Sequence, residues 1–257
     1  MKFMTWFKIT FVAGVVLLVA GGVAVVSISQ TSAHEELSAQ EIAQQTQDTY
    51  DALSSYSDVG TVIAEVNGFH KKTEFSVRLL RPDSYRVDWI QTTDGLYTSR
   101  GNAWSAGSDN FVILASAGQK ATYQPQNAHD LQTAFTVSAE ASGLASSTIP
   151  RIFYSQDYSE VLGIPASSHY PLEKERDERV GGVDCYVVKS VTGPIQLRSQ
   201  GALSKDAVKL GKTTRFFIGK QDHLIHQVRT TKVGASFIET HENIELNAAG
   251  LAAYFIP

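Results

Sequence analysis

The chain has 257 residues, 43% of them hydrophobic and 19% charged, which is enough apolar material for a sizeable core and excludes a disordered protein. Its formal net charge of -4 grows more negative without residues 1–33, which hold Lys2 and Lys8 and no acid, and this argues against nucleic acid as a partner. Cys185 is the single cysteine, so an internal disulfide is excluded, and within Val-Asp-Cys-Tyr-Val-Val it reads as a small apolar core residue.

Residues 9–29 form an uncharged, apolar run preceded by Lys2 and Lys8. A run of ~20 apolar residues can span a bilayer, with the lysines left on the cytoplasmic side. The remainder of the chain is therefore expected outside the cytoplasm, in the periplasm or an equivalent extracytoplasmic space. The run exceeds the ~7–15-residue apolar region of an ordinary signal peptide, yet Thr31-Ser32-Ala33 is an acceptable small-x-small cleavage site. A cleaved signal peptide and a retained anchor in the inner membrane both stay open. Residues 1–33 are thus an export segment, and residues 34–257 are expected to form one domain.

Ser38-Ala-Gln-Glu41 is a capping box. Ile42, Thr46, Tyr50, Leu53 and Tyr56 follow at three- or four-residue intervals, which predicts an amphipathic helix over 38–56. From Val59 the period becomes two. Val62, Ala64 and Val66 lead into Asn67-Gly68, a strong hairpin signal, and Phe69 begins a strand that ends at Arg81-Pro82. Within it Phe75, Val77 and Leu79 alternate with polar residues, and in the next strand Tyr85, Val87 and Trp89 do the same. Arg81-Pro82-Asp83-Ser84 is the turn between them. Asp94-Gly95 reverses the chain again, and Leu96–Arg100 with Asn102–Ser105 extend an antiparallel meander.

Residues 127–165 predict one or two short helices, either a lid or a plug at the end of a barrel. Strands return at 177–180 and 185–189, and residues 191–212 are expected to be a loop. Strands at 214–218, 223–230 and 236–246 complete a second meander. The run Glu173–Arg179 alternates in charge, as suits a solvated strand edge. Several strands are apolar on both sides, as at Leu79-Leu80, Trp89-Ile90, Val187-Val188 and Phe216–Ile218. Either both faces of the sheet are covered, or it curls around an apolar interior.

Catalytic patterns are missing. There is no Gly-x-Ser-x-Gly elbow, phosphate-binding glycine loop or His-Glu-x-x-His helix. His223 and His226 would point to opposite faces of a strand, and Glu239 with His241 reads as a surface cross-strand pair. No catalytic residue, metal or cofactor is expected, and the chain is not read as an enzyme.

Three motifs in order resemble the LolA-like lipoprotein carriers: Arg81-Pro82 followed by Tyr85, Val87, Trp89 and Asp94-Gly95; the late hairpin from Arg215 to Gln227 with its Ile-His-Gln; and the terminal Ala-Tyr-Phe-Ile-Pro257. Residues 98–175 fall outside the resemblance, and the 191–212 loop is additional to it. The resemblance implies an α+β fold, a curled antiparallel sheet or incomplete β-barrel with a helical lid. It implies an apolar cavity wall at Val77, Leu79, Tyr85, Val87 and Trp89, and Arg81 as a latch that hydrogen-bonds to the lid. It also implies a monomer whose partners are the acyl chains of a lipid or lipoprotein. If the export segment is retained, a membrane-tethered relative that senses or binds lipid fits better than a free carrier. The alternative is an envelope sensor or interaction module of the same fold with a filled core.

Overall fold

The computed structural model describes residues 36–106, 109–116, 122–124, 131–145, 147–154, 172–192 and 211–255. The apolar run at 9–29, the Thr31–Ala33 site, residues 155–165 of the expected lid and most of the 191–212 loop lie outside them. Among the described residues no helix is long and apolar enough to cross a membrane.

Ser38 caps the first helix as its spacing predicts. The Glu41 amide donates to the Ser38 hydroxyl at 3.2 Å, and the Ser38 amide donates to the Glu41 carboxylate at 2.8 Å. Helix α1 runs Ala39–Asp51 and buries Ile42, Ala43, Thr46 and Tyr50. It is shorter than the helical spacing predicts. Strand β1 (Ser55–Val66) has already begun at Tyr56, which pairs with Leu79. Ser54 and Asn247 explain the break, since the Ser54 amide donates to the Asn247 side chain at 2.8 Å and strand pairing starts one residue later. Long-range pairing overrides the local period here.

Strands β1, β2 (Phe69–Leu80), β3 (Ser84–Thr93), β4 (Leu96–Ala106), β5 (Asp109–Ser116) and β6 (Thr122–Gln124) make the first meander. Helices α2 (Leu131–Ser142) and α3 (Ile149–Tyr154) follow, and the second meander is β7 (Glu173–Val180), β8 (Val183–Thr192), β9 (Lys212–Gly219), β10 (Ile225–Lys232) and β11 (Ala235–Leu246). Antiparallel pairing of β1 with β11 joins the two into one 11-stranded sheet, ordered β6-β5-β4-β3-β2-β1-β11-β10-β9-β8-β7. Among the described residues the end strands β6 and β7 do not pair with each other, so the sheet is open. The charged run Glu173–Arg179 lies on edge strand β7, where charge discourages pairing with a second chain.

The two-residue alternation places Phe75, Val77 and Leu79 opposite Trp89, Val87 and Tyr85 in register. These six join one core with Ile42 and Tyr50 of α1, Phe135 of α2 and Ile152 and Phe153 of α3. The opposite face is covered in places. A C-terminal 3-10 helix (Leu251–Phe255) buries Leu251 and Phe255 there, Arg78 stacks 4.7 Å over the Tyr254 ring, and Arg86 donates to the Tyr254 carbonyl. Val180, Cys185, Val187 and Phe217 form a second small cluster. Ile90, by contrast, stays 47% exposed, so β3 is not covered along its whole length.

Candidate functional site

Arg81 leaves the end of β2 and turns toward two helices. Its Nε donates to the Leu53 carbonyl at 2.9 Å and its Nη2 to the Tyr50 carbonyl at 3.3 Å. Tyr50 lies in the last turn of α1 and Leu53 two residues beyond its end, so the guanidinium sits at the negative end of the helix dipole. The guanidinium also lies 4.6 Å from the centre of the Phe153 ring of α3, and 3.8 Å from an Asp51 oxygen. One side chain therefore ties the sheet to α1 and α3.

The five residues expected to form the wall, Val77, Leu79, Tyr85, Val87 and Trp89, are each at most 3% exposed. They sit on one face, packed beneath α2 and α3. Tyr85 meets the edge of Phe135, and its hydroxyl is 3.3 Å from Ser138 Oγ. Phe135 in turn stacks on Tyr154. The Tyr154 hydroxyl receives the Leu80 amide at 3.1 Å and donates to the Ser84 carbonyl, pinning α3 to the turn that holds Arg81.

Glu239 and His241 are not on the surface, contrary to expectation. They are 6% and 2% exposed, on the core side of β11. Val62 pairs with Glu239 and Gly60 with His241, which brings them beside Asp58 of β1, also buried. His241 Nδ1 is 2.7 Å from Asp58 Oδ2, and the Tyr56 hydroxyl donates to the same oxygen at 2.6 Å. Burial opposes charge on His241, but the Asp58 carboxylate, its hydrogen bond and Glu239 outweigh it and hold the imidazole's pKa above its ordinary value. Burial pushes the Glu239 carboxyl up, against the pull of His241 and Thr148. Glu239 accepts from the Thr148 hydroxyl at 2.7 Å and from the Thr148 amide at 3.4 Å, just before α3. Among the described residues no group of side chains could hold a metal ion.

A cavity of about 220 Å³ remains between the α2–α3 connection and the core face of β1 and β9–β11. Val62, Phe216, Val228 and Phe237 supply its apolar wall, Glu239 one side, and Arg151, Lys212 and Lys232 its charged end. None of the five expected wall residues lines it. Sequence reasoning missed this end, because its cations come from three segments; it also missed Asp58, whose only signal was its shared parity with Tyr56 and Val62.

No family model and no curated protein matches the sequence. Solved structures do resemble the fold. The Mycobacterium tuberculosis lipoprotein LppX aligns at 12% identity and TM-score 0.46, over 81% of this chain and 94% of its own. LprF from Mycobacterium bovis aligns at 11% identity and TM-score 0.48, over 82% and 93%. A LolA superfamily protein from Nitrosomonas europaea aligns at 9% identity and TM-score 0.34, over 86% of this chain and 99% of its own.

Proposed function

We propose that residues 34–257 form an exported, non-enzymatic, monomeric binding protein that shields an acyl chain of a lipid or lipoprotein between the curled sheet and its helices. The observation that carries this reading is Arg81, which joins the greasy face of β2 to the end of α1 and the face of Phe153. The cavity of about 220 Å³ is smaller than the ~300–1,000 Å³ of typical ligand pockets, so on this reading a full chain enters only when the helices move aside. Val77, Leu79, Tyr85, Val87 and Trp89 then become the wall, and burial at ~25 cal/mol per Å² of apolar surface drives binding. Residues 9–29 either guide export and are removed or tether the domain to the inner membrane.

The experiment is native mass spectrometry of the gently purified protein together with uptake of a fluorescent fatty acid, for the natural chain and for Arg81→Leu. Co-purified lipid, and altered lipid release in the variant, are the expected results. Bare protein with no uptake favours the second reading, an envelope sensor or interaction module of the same fold. The dense packing of Tyr85, Phe135 and Tyr154 is the observation on that side.

A further inference from the structure

The cavity is graded from charged to apolar along two neighbouring strands. On β9 the order inward is Lys212, Thr214, Phe216, and on antiparallel β10 it is Lys232, Thr230, Val228. Thr214 pairs with Thr230, their hydroxyls 3.3 Å apart, so the two strands present matching bands: ammonium, hydroxyl, hydrocarbon. Arg151, from α3, adds a guanidinium at the charged end, and its Nε is buried without a hydrogen-bond partner among the described residues.

Three like charges gathered around one opening cost free energy unless an anion joins them. Lys212 has its pKa lowered by desolvation first and then by Arg151 and Lys232 beside it. Among the described residues Glu239 is the acid in the lining, and its carboxylate faces His241, whose Nε2 is 3.6 Å from Oε1.

Building on the acyl-binding reading, we propose that this end of the cavity selects lipids with an anionic oxygen headgroup, a phosphate or carboxylate. Arg151 clamps the headgroup through its planar fork, Lys212 and Lys232 close around it, and the first methylenes lie against Phe216 and Val228. The apolar band behind the cations is what favours a lipid head over a free anion.

Three probes test this on the full chain stripped of lipid: palmitoyl lysophosphatidate, monopalmitoyl glycerol, which is the same lipid without phosphate, and inorganic phosphate. Isothermal titration should give lysophosphatidate an advantage of at least about tenfold over monopalmitoyl glycerol, the factor one charge-assisted hydrogen bond supplies. Arg151→Gln, and separately the exposed pair Lys212→Gln/Lys232→Gln, should erase that ratio, weakening lysophosphatidate far more than monopalmitoyl glycerol. Equal affinity for the two lipids, or a ratio that survives both variants, overturns the headgroup site while the acyl-binding reading stands. Inorganic phosphate binding as tightly as lysophosphatidate overturns it in favour of a free anion. If neither lipid binds, the acyl-binding reading itself fails.

Discussion

His241 Nδ1 lies 2.7 Å from Asp58 Oδ2, with both side chains at 0% exposure, although 183 residues separate them in the chain. The contact crosses the β1–β11 seam that welds the two meanders into one sheet. It is thus a joint between halves of the fold, and the Tyr56 hydroxyl on the same carboxylate strengthens it.

Stability should fall as pH rises. The folded-state pKa of His241 is raised above its ordinary 6.5, so the stabilisation from protonated His241 is fully present below that value and is lost as pH climbs through the folded pKa. Glu239 works with the same sign from its ordinary 4.5 upward, since its pKa is also raised. Urea midpoints measured from mildly acidic to alkaline pH should decline. His241→Gln should flatten the decline above neutrality and lower the overall stability by about 3 kcal/mol, because Asp58 stays buried without its cation.

Arg81→Leu should loosen the end of α1 before anything else. Two hydrogen bonds to carbonyls disappear, and because the side chain is 34% exposed the cost is only about 1–2 kcal/mol. Hydrogen exchange should quicken at α1 and α3 while the β9–β10 amides keep their protection. Arg81→Lys should restore little, since a single ammonium cannot reach both carbonyls and lie flat on Phe153.

Gly60→Ala should destabilise by at least about 2 kcal/mol in chemical denaturation. A Cβ at this position would collide with the Thr240 carbonyl and the Phe75 ring. The ring packs edge-on toward His241, and the carbonyl belongs to the seam strand, so neither can retreat freely.

Cys185 should resist thiol reagents until the domain unfolds. Its side chain is buried, and burial, with the Asp222 carboxylate near it, pushes the thiol up to about 11. Reaction with an aromatic disulfide should follow the unfolding rate in urea. A fast reaction in native buffer would mean that the Val180–Phe217 cluster opens locally.

What the sequence determined by itself was local. The Ser38–Glu41 cap, the alternation that set Phe75, Val77 and Leu79 against Trp89, Val87 and Tyr85, and the charged edge at Glu173–Arg179 all follow from neighbours within a few residues. The same alternation placed Glu239 and His241 on one face of a strand without saying whether that face meets water or the core. Only the pairing of β1 with β11 decided this, since it brought Asp58 beside them, and it also claimed Tyr56 for the sheet although its spacing suited a helix. The cavity's charged end likewise draws Arg151, Lys212 and Lys232 from separate elements. Periodicity records which side chains point the same way; what lies opposite them is set by contacts between distant segments, and no local pattern encodes those.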